Sequence, residues 1–130
     1  MKKENNNVIH YEDFVAEIND SEISITGYNG TDDDVIIPDE IDGLPVVHIG
    51  DNAFYKKGLT SVFLPSELKT IGDYAFENNN LEDIWFDEGL ISIGKNAFYA
   101  NNNCYLRNEL PSTLVSIGER AFFYNRIGKL

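Results

Sequence analysis

A six-residue pattern, Ile-Gly-x-x-Ala-Phe, returns four times: Ile49 to Phe54, Ile71 to Phe76, Ile93 to Phe98 and Ile117 to Phe122. The steps between copies are 22, 22 and 24 residues. A period in the twenties marks a solenoid, because each unit is too short to bury its own apolar stripe and must stack on its neighbours. Few other features constrain a 130-residue chain so tightly. A solenoid is a scaffold, however, and its ligand is set by exposed residues.

The rest of each coil aligns on that anchor. Leu59 to Thr70 and Leu81 to Ser92 both read L-x-x-[VI]-x-[LF]-[PD], with a Leu three residues before the Ile. Leu59, Val62 and Leu64 fit a short strand with inward alternation, and Gly72 is expected to supply a positive-φ bend. Stacking would align Phe54, Phe76, Phe98 and Phe122 as a ladder, each buried ring contributing about 1.5–3 kcal/mol. Such residues form a core, not a catalytic site. In the fourth copy Tyr105, Asn108, Leu110, Pro111 and Leu114 fill the slots, with two extra residues placed in the 101–104 region and distortion expected at Asn108. The first copy uses Val35, Ile37, Pro38 and Val46, with five additional residues carrying the turn Asp42-Gly43. Ile127 and Leu130 begin a fifth coil.

Upstream, Tyr11 to Ile18 and Glu22 to Tyr28 carry β-branched apolar residues around Asn19-Asp20, a hairpin signal. A repeat stack needs an atypical first unit over its apolar end. The chain therefore divides into a flexible tail (1–10), a β-hairpin cap (11–34) and four coils with an incomplete fifth (35–130).

With these residues in place, Val35 to Phe54 (VIIPDEIDGLPVVHIGDNAF) and the three further L-x-x-V-x-L-P…IGxxAF coils resemble the BspA-like leucine-rich repeat family. The stretch Ile23 to Gly30 is similar to the segment that precedes the first coil in such proteins. The resemblance implies a β-rich (α+β) solenoid: a short right-handed leucine-rich repeat with parallel strands on a concave face and 3₁₀ or short helical turns on the convex face. It also implies a non-enzymatic protein of the bacterial cell surface or secreted space, engaged in adhesion to a host or matrix protein. Many members carry Cys after A-F-x-x, where this chain has Gly58, Asn80 and Asn103.

Composition is consistent with that picture. Twenty-two acidic against ten basic residues give a net charge of −12, which opposes a nucleic-acid partner. Cys104 is the single cysteine, so no internal disulfide forms. Lys2-Lys3 leads into Glu4 and asparagines and not into an apolar run, so no leader and no membrane-inserting stretch is read. On the family resemblance the chain is then expected to be an excised fragment of a longer surface protein. His10 and His48 are isolated, and no metal, cofactor or catalytic set assembles from the motifs. Asp32 to Asp34, with Asp39 and Asp42 nearby, read as a solvated acidic turn, since they lack the glycine spacing of a calcium loop.

The outward residues between the inward ones remain. One such position holds Ile36, Phe63, Trp85 and Glu109 in successive coils, flanked by Glu82, Asp83 and Arg107. Large apolar side chains aligned on an outer ladder form a stripe that a monomer rarely exposes without use. These seven residues are the candidate binding site, for a protein ligand or, alternatively, for a glycan stacked on Trp85 and Phe63. The other alternative is a structural spacer. The incomplete fifth coil adds an expected homodimer through about residues 105–130, with Phe123, Tyr124 and Ile127 as contacts.

Overall fold

A computed structural model describes residues 7–102 and 104–123. The chain opens with an antiparallel meander of β1 (Val8–Tyr11), β2 (Phe14–Asn19) and β3 (Glu22–Tyr28). Strand β3 then pairs in parallel with β6 (Leu44–Ile49), which is followed in the same sheet by β8 (Thr70–Ile71), β10 (Ser92–Ile93) and β12 (Ser116–Ile117). A second row holds β4 (Asp34–Ile36), β7 (Ser61–Phe63), β9 (Asp83–Ile84) and β11 (Tyr105–Leu106), paired in parallel as β4 with β7 and β9 with β11. The short β5 (Glu40–Ile41) folds back on β6 through Asp42-Gly43, both at positive φ (53° and 79°), as the Asp-Gly signal requires.

The result is a β-solenoid of about four turns with parallel strands. Its core is the stacked Phe ladder. Phe54, Phe76, Phe98 and Phe122 lie at centroid spacings of 5.1, 5.2 and 5.5 Å, with ring planes within 8° of parallel. Leu59, Ile71, Leu81, Ile84, Ile93 and the hexapeptide alanines are buried beside it. Tyr28 and Phe14 continue the aromatic column from Phe54 into the meander, at 5.5 and 6.3 Å. The meander thus covers the first coil both by strand pairing and by ring packing.

Several expectations change. The tail was expected to run to residue 10, but β1 begins at Val8, and a turn at Glu12-Asp13 splits the first expected hairpin strand. Among the described residues there is no helix; the segments after each Ile-Gly are turns. Gly72 has no positive φ. A Cβ there would stand 2.7 Å from Asp51 N and 2.8 Å from Gly50 C, so glycine is required for close approach to the coil before it. The left-handed residues are instead Asn52, Tyr74, Asn96 and Arg120 (φ 57–62°), two positions after each glycine. The longer sheet runs through the hexapeptide's own Ile, not through the L-x-x-V segment.

Two polar columns tie the coils together. Asn79, 4% exposed, accepts from Lys57 N and Leu59 N (3.0 Å each) and donates to Phe54 O and Phe76 O (2.8 and 3.0 Å). Asn101 repeats the arrangement one coil on, accepting from Leu81 N and donating to Phe76 O and Phe98 O. At the turns, Asp51 accepts from Asp73 N and Asp73 from Lys95 N, 2.8 Å in both cases.

Candidate functional site

The second strand row decides which side chains reach solvent. Val35, Val62 and Ile84 point inward and are buried, while Leu106, the next in register, is half-buried. The residue after each points out, as strand alternation demands. Ile36 is 70% exposed, Phe63 63% and Trp85 57%. Ile36 and Phe63 are register partners on β4 and β7. The 22-residue repeat sets Trp85 opposite Phe63, held by the bond from Glu82 N to Thr60 O at 3.1 Å. Trp85 Nε1 donates to Asp87 Oδ1 at 3.2 Å, which ties down the indole edge while more than half of the side chain stays in solvent.

Glu109 does not belong to this row. Tyr105 pairs with Asp83 and Leu106 with Ile84, a step of 22, whereas Ser116 pairs with Ser92, a step of 24. The two extra residues therefore follow Asn108 and do not lie in the 101–104 region. The fourth rung is Arg107, whose N–H donates to Ile84 O at 2.9 Å, and its guanidinium lies 3.7 Å from the Asp83 carboxylate. Asn108 sits across from Phe86, not in the Val62 slot. It accepts from Phe86 N (3.3 Å) and donates to Phe86 O (2.8 Å), substituting its side-chain amide for a strand partner. Of the seven candidates, Ile36, Phe63, Trp85, Asp83, Glu82 and Arg107 fall on four successive strands (β4, β7, β9 and β11) and their immediate flanks, and Glu109 falls outside.

Other polar and titratable groups lie on the sheet faces, at the turns and in the core. His48 Nδ1 lies 2.6 Å from Thr70 Oγ1, and His48 Nε2 lies 3.5 Å from Glu22 Oε1. The order hydroxyl–imidazole–carboxylate resembles that of a nucleophile, base and orienter, but it lies on neighbouring strands of a sheet face and Thr70 is half-buried. Lys69 Nζ also reaches Glu22 Oε2 at 3.0 Å, and that hydrogen bond, ahead of the attraction of Lys69 and His48, holds the Glu22 carboxyl below its ordinary value. Hydrogen bonds from Ser112 likewise lower Glu88. Burial, then the nearby Asp83, pushes the Cys104 thiol up to about 12, so it behaves as a buried apolar group. Among the described residues no three His, Cys, Asp or Glu gather to hold a metal ion, Asp32 to Asp34 included. No helix of the described residues is long and apolar enough to cross a membrane. Tyr124, Ile127 and Leu130, expected at the C-terminal end, lie outside the described residues.

Residues 35–130 match the family described as the BspA-type leucine-rich repeat region, in six copies. No curated protein is significantly similar in sequence. Among solved structures, a leucine-rich repeat protein of T. pallidum is 26% identical with a TM-score of 0.65, over 88% of this chain and 66% of its own. A leucine-rich cell surface protein from Faecalibacterium prausnitzii is 27% identical with a TM-score of 0.78, over 90% of this chain and 34% of its own. A leucine-rich repeat protein from Bacteroides capillosus shares the fold at a TM-score of 0.78 and 23% identity, over 93% of this chain and 96% of its own.

Proposed function

The chain belongs to the BspA-type leucine-rich repeat family, and from that premise we propose that it is a non-enzymatic protein-binding module of a bacterial cell surface or secreted protein. The observation that carries this is the row Ile36, Phe63 and Trp85, each more than half exposed on consecutive coils. Leaving three large apolar side chains in water gives up the roughly 1.5–3 kcal/mol that each would contribute if fully buried. A partner that covers them recovers part of it. Aromatic anchors with charged residues at the rim are the composition of an interface hot spot, and here Glu82, Asp83 and Arg107 form the rim. The similarity to the Faecalibacterium prausnitzii cell surface protein supports the proposed location. A host or matrix protein is the partner class this reading favours.

The test pairs a panel of matrix proteins with a glycan array, using wild type and Trp85→Ala. A protein ligand whose affinity falls by about 2 kcal/mol or more in Trp85→Ala, about 30-fold, with unfolding midpoint unchanged, supports the reading. Binding confined to glycans reassigns the row to sugar stacking, and a Trp85-insensitive chain is a spacer. Trp85 is the sole indole, so acrylamide quenching gives a direct check: an emission insensitive to quencher contradicts the exposed row.

A further inference from the structure

At the N-terminal end of the exposed row lies a cavity of about 230 Å³. Its floor is aromatic, formed by Phe14 and Tyr28 with ring centroids 5.6 Å apart. Tyr28 is fixed by donating its hydroxyl to Asp32 O at 3.4 Å, and Gly30 passes so close over the ring that a Cβ there would collide with it. The rim is entirely acidic: Glu12 and Asp13 from the β1–β2 turn, and Asp32 and Asp34 from the segment leading into the first coil. One wall is Ile36, the first rung of the exposed row.

The chemistry of that lining is selective. Four carboxylates with no lining cation disfavour an anion and favour a cation. A metal ion does not fit, because no three of the described acidic groups are placed to ligate one. The volume lies below the roughly 300–1,000 Å³ of pockets that enclose whole small molecules, so the cavity suits a single side chain. Asp34 already accepts from Thr60 Oγ1 and Ser61 Oγ at 3.2 and 2.9 Å, so Glu12, Asp13 and Asp32 form the main charged rim. A planar guanidinium matches the rim, because its fork of N–H groups meets carboxylates in pairs, while Phe14 and Tyr28, each only 4% exposed, close the cavity from below as an apolar floor.

Position adds the second half. Ile36, Phe63 and Trp85 stand on successive strands, about 4.8 Å apart per rung. The first and third rungs are thus about 9.6 Å apart, and an extended segment repeats its same-side residues every ~6.7 Å, so two such side chains seated between the rungs touch all three. We propose that the site takes an extended segment of a partner protein with the pattern Arg-x-apolar-x-apolar, the arginine entering the Glu12–Asp13–Asp32 cavity and the two apolar side chains covering Ile36, Phe63 and Trp85. This rests on the protein-binding reading of the row and names the chemistry of its partner. The net charge of −12 speeds encounter with such a basic segment and makes the rate fall with salt.

The experiment is selection of random twelve-residue peptides displayed on phage against the 130-residue protein, followed by titration of synthetic winners through Trp85 fluorescence. Enrichment of a basic residue two positions before alternating apolar residues is expected. Replacing the peptide's arginine with its neutral isostere citrulline should weaken binding about tenfold, and the double variant Asp13→Asn/Asp32→Asn should remove that preference. Both aspartates are exposed, and the citrulline arm does not depend on any variant folding. Winners that are apolar, lose affinity in Trp85→Ala and are indifferent to charge overturn the cavity assignment while leaving the protein-binding row intact. No enrichment, or enrichment indifferent to Trp85→Ala, overturns both.

Discussion

Asn79→Leu isolates the polar column that locks one coil to the next. The asparagine makes four hydrogen bonds from a site only 4% exposed, reaching three segments at once. Leucine is similar in size and makes none of them. Phe76 O keeps a donor, Asn101 Nδ2 at 2.9 Å, and Lys57 is exposed, so its N–H can turn to water. Leu59 N–H and Phe54 O have no such relief, because both residues are fully buried. Each buried group left unpaired costs about 1–3 kcal/mol. Leucine's own burial offsets on the order of 1–2 kcal/mol of that, so the two unpaired groups together leave a net loss of about 1–4 kcal/mol. Against a typical total of about 5–15 kcal/mol this is a large fraction, readable as a lowered urea midpoint at unchanged slope. Asn80→Leu, one residue on and exposed, is the control and should stay within about 0.5 kcal/mol. A loss under about 1 kcal/mol for Asn79→Leu, or equal losses at both positions, would refute the argument that these amide bonds hold the coils in register.

Phe76→Ala removes a fully buried ring stacked between Phe54 and Phe98 and should cost about 3–5 kcal/mol; Phe63→Ala, at an exposed rung, should cost under about 1 kcal/mol, and equal losses in denaturation would reverse the inside–outside assignment. The Glu22 carboxyl titrates below its ordinary 4.5 in the folded chain, so its contribution is present above that value and is lost as pH falls through the lowered one. A carbon-detected titration of Glu22 should therefore show a depressed midpoint that rises in Lys69→Met, and an unmoved midpoint contradicts the assigned cause. At the far end, Val115 is 81% and Ile117 43% exposed on or beside the sheet's last described strand, and such an edge invites pairing. We propose self-association there: sedimentation equilibrium should show concentration-dependent dimer that Val115→Lys abolishes, and a monomer at all concentrations rules it out.

The repeat by itself dictates the solenoid, because four in-register Ile-Gly-x-x-Ala-Phe units leave the phenylalanines no place to go but on top of one another. The hairpin turn at Asp42-Gly43 was equally legible, since few residues tolerate paired positive φ. The exposure of Ile36, Phe63 and Trp85 also followed from strand alternation alone. The asparagine column was within reach, as Asn79 and Asn101 recur at the 22-residue step, but polarity argued for the surface; only the structure places both amides among backbone groups that the turns leave unpaired. The fourth coil misled for a related reason. Asn108 looks wrong for any inward slot until its amide is seen bonding the Phe86 backbone, and that contact moves the two-residue insertion downstream and puts Arg107, not Glu109, beside Trp85. The need for glycine in the hexapeptide was visible, yet its cause, backbone approach between coils and not a left-handed turn, is a distance between segments 22 residues apart. The acidic cavity is likewise an assembly of two separated loops over Phe14 and Tyr28. Local periodicity is written along the chain, whereas a contact between distant loops exists only once the coils have stacked.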